Sequence, residues 1–167
     1  AQSARVISPK KQLSSAPSVL FSIEFGFNDR HVPRDGYAGK LMAIEDEKPV
    51  LWGIWSTGNI ASKFARDLPA VPGAGLHSVR SRDVSSAKAF GEKHGANVAV
   101  FHDDRFLDDP DLDAVYIASP HMFHCAQAIK AIEHGKPVLV EKPVAMNAAE
   151  ARKIEAASIK HGVFAME

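Results

Sequence analysis

Residues 51–61 read LWGIWSTGNIA, and the reading of this stretch decides the fold. An apolar run enters a turn of small residues and leaves it as the start of a helix. The dinucleotide-binding fingerprint G-x-G-x-x-G/A has that layout, with a strand before it and a helix after it. Aligned on the fingerprint, Ser56, Thr57, Gly58, Asn59, Ile60 and Ala61 fill its six places, with serine at the first instead of glycine. Gly58 holds the second place, where a side chain would collide with a pyrophosphate, and Ala61 is a permitted third residue. Ser56 suits the first place if its backbone stays in the ordinary extended region. A helix beginning at Asn59 would offer free N–H groups and the positive end of its dipole to an anion. On these residues alone the loop reads equally as a cofactor cradle or as a structural strand–turn–helix.

Strand and helix signals alternate outward from this point. VLWGIWS (50–56) is nearly continuous in apolar residues, as a strand buried on both faces must be. A helix over 59–68 follows, with Ile60, Phe64 and Leu68 at helical spacing. GLHSVRSR (75–82) reads as the second strand; Asp83 caps a helix that carries Ala87 and Phe90 and stops at Gly95. VAVF (98–101), AVYIAS (114–119), PVLVEK (137–142) and the beginning of VFAME (163–167) supply strands three to six. Between them lie a helical turn with Phe106 and Leu107 and a helix over 122–134 with Phe123, Ala126, Ile129 and Ile132 on one face. A last helix is opened by the capping-box pair Asn147 and Glu150 and closed by Gly162. Alternation of this kind predicts an α/β fold, a doubly wound six-stranded parallel sheet in the order 3-2-1-4-5-6.

Composition narrows the function classes. Lys plus Arg and Asp plus Glu both number 20, so no basic field draws the chain to nucleic acid, and no apolar run suits a membrane span. The single cysteine, Cys125, makes no intrachain disulfide, which agrees with a cytoplasmic location. Residues 1–23 contain no acid but six serines, and 1–49 as a whole read as a poorly ordered extension preceding a domain at 50–167. A targeting segment and a small docking arm are the alternatives for that extension.

Several stretches together resemble the Gfo/Idh/MocA family of NAD(P)-dependent oxidoreductases: WGIWSTGNIA, SRD at 81–83, DDPDLDAVYIASP at 108–120, His124, and VLVEKPVAMNAAEA at 138–151. Within it the chain is most similar to the branch of dimeric dihydrodiol dehydrogenases and NADP-dependent D-xylose dehydrogenases. The resemblance implies a Rossmann cofactor domain and a hydride transfer between NADP and a sugar or trans-dihydrodiol hydroxyl. It also implies a second, substrate-holding domain that forms a homo-oligomer interface. None of that domain is expected within these 167 residues, so the chain is expected to be a fragment of a longer polypeptide. A non-catalytic NAD(P)-binding regulatory protein on the same fold is the competing reading.

The candidate site follows the strand ends. Ser81 and Arg82 stand at the tip of the second strand, where an arginine fork suits the 2′-phosphate of NADP; a solvated surface arginine is the alternative, and Asp83 keeps NAD open. Ser119, Pro120, His121 and His124 follow the fourth strand and would line the nicotinamide crevice, His124 alternatively packing the helix start. His121, His124 and Cys125 lack the further ligands of a metal site. By resemblance Lys142 is the catalytic residue beside the nicotinamide. Desolvation would lower its pKa so that it relays a proton, with Glu141 as its charge partner and Pro143 fixing the chain's exit.

Overall fold

The computed structural model describes residues 48–100 and 102–167, so the extension expected over 1–49 lies outside the described residues apart from Lys48 and Pro49. Six strands form one sheet in the order β3-β2-β1-β4-β5-β6. They are β1 (Val50–Trp55), β2 (Ala74–Arg80), β3 (Val98–Val100), β4 (Ala114–Ile117), β5 (Val138–Val140) and β6 (Ala165–Met166). Every neighbouring pair is parallel, as the sequence predicts. The connecting helices are α1 (Asn59–Asp67), α2 (Val84–His94), the short α3 (Asp103–Leu107), α4 (His124–Glu133) and α5 (Ala148–His161).

Side chains alternate across the central strands and feed two cores. Ile54, Val79, Tyr116 and Ala118 pack with Ala61 and Ala65 of α1 and Ala87 and Phe90 of α2. Trp55, Val115, Ile117, Val138 and Val140 pack on the other face with Phe106, Leu107, Ala128, Ala131, Ile132 and Ile154. Two expected helix faces are corrected here. In α1 the sheet receives Ala61 and Ala65 with Phe64 packed beside them, and Leu68 is buried just after the helix, so of the expected face only Ile60 is exposed. In α4 it receives His124, Ala128, Ala131 and Ile132, while Phe123 and Ala126 face outward. Alanines let a helix approach the sheet more closely than larger residues do, and Ile60 and Phe123 are left on the flanks.

The helix ends follow the sequence signals. The Asp83 carboxylate accepts hydrogen bonds from Ser86 N at 2.7 Å, Ser86 Oγ at 2.8 Å and Ser85 Oγ at 2.5 Å. These hydrogen bonds, the Ser85 hydroxyl foremost, hold its pKa down at about 2. Gly95 and Gly162 close α2 and α5 in the left-handed conformation. Asn147 Oδ1 accepts from Glu150 N at 3.0 Å, while the Glu150 carboxylate reaches Met146 N rather than the Asn147 amide of a standard box.

Gly53, in the middle of β1, has no room for a side chain. A Cβ there would lie 2.6 Å from Leu112 Cδ1 and 2.7 Å from Phe106 Cζ, both in the buried core. The β1–β2 register also shifts between Trp52 and Gly53. Gly53→Ala should therefore lower the unfolding free energy by about 1–3 kcal/mol, the usual cost of overpacking, as read from urea denaturation.

Candidate functional site

Between β1 and β4 the crossovers change direction, and in such sheets a crevice opens there at the carboxyl ends of the strands. A cavity of about 360 Å³ occupies this place, and Trp55, Ser56, Thr57, Ser81, Arg82, Ser119 and Pro120 are among the residues that line it. The strand tips named from the sequence thus meet at one cavity, from β1, β2 and β4. Thr57 Oγ1 lies 3.4 Å from Ser81 Oγ across it, and Ser119 Oγ donates to Gln127 Oε1.

The loop after β1 departs from expectation in one respect. Ser56 has φ +124°, so the residue at the first fingerprint place adopts the glycine-type conformation instead of the extended one. The turn geometry is kept and the serine is strained into it, held by Ser56 N donating to Arg80 O at 2.9 Å. Gly58 then caps α1 with extended backbone and no side-chain hydrogen bond, and α1 has no acid in its first turn. α2 and α5, by contrast, are both capped by side chains. A Cβ at Gly58 would meet only Ser56 Oγ, at 3.9 Å, so the outer face of the loop is open. Exposed backbone there and uncapped N–H groups beyond it fit a pyrophosphate. Asn59 and Ile60 are exposed on the first turn of α1.

Sequence reasoning missed a charged group in the cavity wall. Arg80 lies over the Trp55 ring with 5.3 Å from guanidinium to centroid, and its Nη2 is 2.6 Å from Asp103 Oδ1. That is a charge contact whose angles are not those of a hydrogen bond, and Trp55 Nε1 and Arg80 Nε are buried without a partner. Lys130 joins from α4, 3.4 Å from Asp103 and 2.8 Å from Asp104. The available signal was Arg80 itself: an arginine within a strand of a sheet covered on both faces needs a carboxylate. Arg82, two residues on, is exposed at the rim.

Lys142 and Glu141 belong to a second cavity, of about 540 Å³, shared with Phe64, Tyr116, Leu139, Val140 and Glu167. Lys142 is exposed, so the desolvation expected of it is absent in this domain. Glu141 is engaged elsewhere than expected, since Tyr116 Oη donates to its Oε1 at 2.5 Å. Burial, then the carboxylate beside it, pushes the Tyr116 phenol pKa upward and keeps the hydroxyl a donor. The Lys142–Pro143 peptide is cis. His121 is exposed, whereas His124 is wholly buried and does not line the crevice. Its Nδ1 lies 2.8 Å from Pro143 O and its Nε2 2.8 Å from Ser119 O, so the helix-start alternative describes it.

A parallel sheet reversing at β1, a glycine-type turn and an uncapped helix define a dinucleotide-binding domain. Residues 50–167 match the family model for the Gfo/Idh/MocA oxidoreductases, described as an NAD-binding Rossmann fold, and the chain belongs to that family. Trans-1,2-dihydrobenzene-1,2-diol dehydrogenase of Xenopus laevis is 37% identical over 118 residues, 70% of this chain and 36% of that protein. The human enzyme of the same name is 36% identical, over 70% of this chain and 35% of its own length. The chain thus spans about a third of these relatives. A 3-ketoreductase from Actinomadura kijaniata, solved with NADP, superposes with a TM-score of 0.66 at 29% identity, covering 70% of this chain and 37% of that one.

The strain at Ser56 gives a direct test of the loop. Roughly 1–3 kcal/mol is stored in such a backbone, and glycine loses about 0.4–1 kcal/mol through the freer unfolded chain. Ser56→Gly should therefore stabilise the domain by about 1 kcal/mol in denaturant unfolding, whereas Ser56→Ala should give no gain.

Proposed function

We propose that this domain binds NADP and serves an oxidoreductase that moves a hydride between the cofactor and a hydroxyl of a sugar or trans-dihydrodiol. The observation that carries this reading is the convergence of Ser56, Thr57, Ser81, Arg82, Ser119 and Pro120 on one cavity, beside a loop open at Gly58. The relatives named as diol dehydrogenases and the NADP-bound 3-ketoreductase support the chemistry. In this reading a second domain, corresponding to the length of the relatives outside the match, completes the substrate pocket and assembles the protein as a homo-oligomer. A cytoplasmic setting accords with one unpaired thiol, Cys125, whose pKa burial pushes up.

Each residue then has a task. The Gly58 turn and the free N–H groups of α1 receive the pyrophosphate, and Ser81 and Arg82 receive the adenosine 2′-phosphate. His121 flanks the nicotinamide side. The cofactor supplies the site that accepts or gives the hydride. Alcohol oxidation also releases a proton, and Lys142, at the carboxyl end of β5, takes it. Its present exposure leaves the ammonium in water, and a covering domain with bound substrate would supply the desolvation that tunes it.

Arg82→Ala should weaken NADP by about 10- to 100-fold, the loss of one charge-assisted hydrogen bond, and NAD by less than about threefold. Calorimetric titration of both cofactors decides it, since equal weakening removes the 2′-phosphate role. Lys142→Met in the complete polypeptide should lower kcat by about 10²–10⁴-fold while the NADP Kd stays within about threefold. Turnover within a factor of about three would exclude the lysine as proton relay.

A further inference from the structure

The turn Glu141-Lys142-Pro143 is held at both ends by side chains that lie outside the first cavity, Tyr116 bordering the second beside Lys142 and His124 buried. On one side Tyr116, in the centre of β4 and 4% exposed, donates its hydroxyl to Glu141. Its ring is locked by Phe64, stacked at 4.0 Å between centroids. Glu141 N also donates to Ile117 O, so the β4–β5 ladder continues to the foot of the turn. On the other side His124 spans the carbonyls of Ser119 and Pro143, each 2.8 Å from a ring nitrogen. The buried imidazole is wedged between two backbone carbonyls, its N–H donating to one of them, and so ties the end of β4 to the exit from the turn. Lys142 lies between these anchors and is itself exposed.

We propose that Tyr116 and His124 are positioning residues that fix the Glu141–Pro143 turn and through it set where the Lys142 ammonium stands. The proposal rests on the reading of Lys142 as proton relay. It separates Glu141 from the lysine's charge balance: the carboxylate serves as an anchor for the backbone, engaged by a phenol 25 residues away in sequence. The division has a physical logic. A long, flexible side chain reaches a reacting atom reproducibly only when its Cα is fixed, and misplacement by about 1 Å costs on the order of 100-fold in rate.

Tyr116→Phe is the cleanest variant, because it keeps the ring stack on Phe64 and removes only the donor. His124→Gln retains one amide donor and breaks the span. In this chain, without cofactor, both should speed amide hydrogen exchange at Lys142, Val144 and Ala145 by about tenfold or more while β2 amides stay unchanged. In the complete polypeptide Tyr116→Phe should lower kcat by about 10- to 100-fold with NADP Kd within about threefold. That loss should vanish in a Lys142→Met background, where a merely structural effect would simply add. Unchanged exchange and unchanged kcat in folded Tyr116→Phe overturn the proposal, whether or not His124→Gln folds. If Lys142→Met leaves turnover intact while Tyr116→Phe speeds exchange at the turn, the relay reading fails and the anchoring stands.

Discussion

Parallel pairing is the constraint on which the rest of this domain depends. A parallel neighbour is reached only by a crossover, and crossovers are right-handed. With β1 between β2 and β4, the chain winds first one way and then the other. α1 and α2 cover one face and α3, α4 and α5 the other. Loops leaving neighbouring strand ends therefore part at the centre of the sheet. The cavity lined by Trp55, Arg80 and Ser119 is the space left by that divergence. It needs no special device beyond residues small enough to turn.

Most of the fold was legible in the sequence because the signals were local. Apolar runs gave the strands, and Asp83, Gly95, Asn147 and Gly162 marked helix ends where they occur. The helix faces were less legible. Spacing rightly favoured Phe64, Ile129 and Ile132 but also Ile60, Phe123 and Ala126, while it passed over Ala61, Ala65, Ala128 and Ala131. Periodicity weighs large side chains, whereas close helix–sheet approach selects small ones. The strand-tip residues could be named in advance because parallel strands all end on one side. The partners of those residues could not. Tyr116 with Glu141, and His124 with Pro143, are separated by 25 and 19 residues, and only the β4–β5 pairing brings them together. The dihedral of Ser56 was equally hidden, since the turn imposes it against the residue's own preference.

The two cavities sit under different physical regimes. The first is walled by paired charges, Arg80 and Lys130 against Asp103, with an indole beneath the guanidinium. A polar wall of that kind is fixed before any ligand arrives and suits a charged, elongated guest. The second has the stacked Phe64 and Tyr116 rings at its side and an exposed lysine at its mouth. Its wall is thus aromatic where that of the first is ionic.

The cap on α2 has a consequence for the neighbouring strand tip. Asp83 gathers its three hydrogen bonds on Oδ2, and its pKa lies at about 2. Its negative charge therefore does not vary anywhere near neutrality, one residue from the guanidinium of Arg82. Acidification of the surroundings would leave this charge at the strand tip untouched until the helix cap itself began to fail.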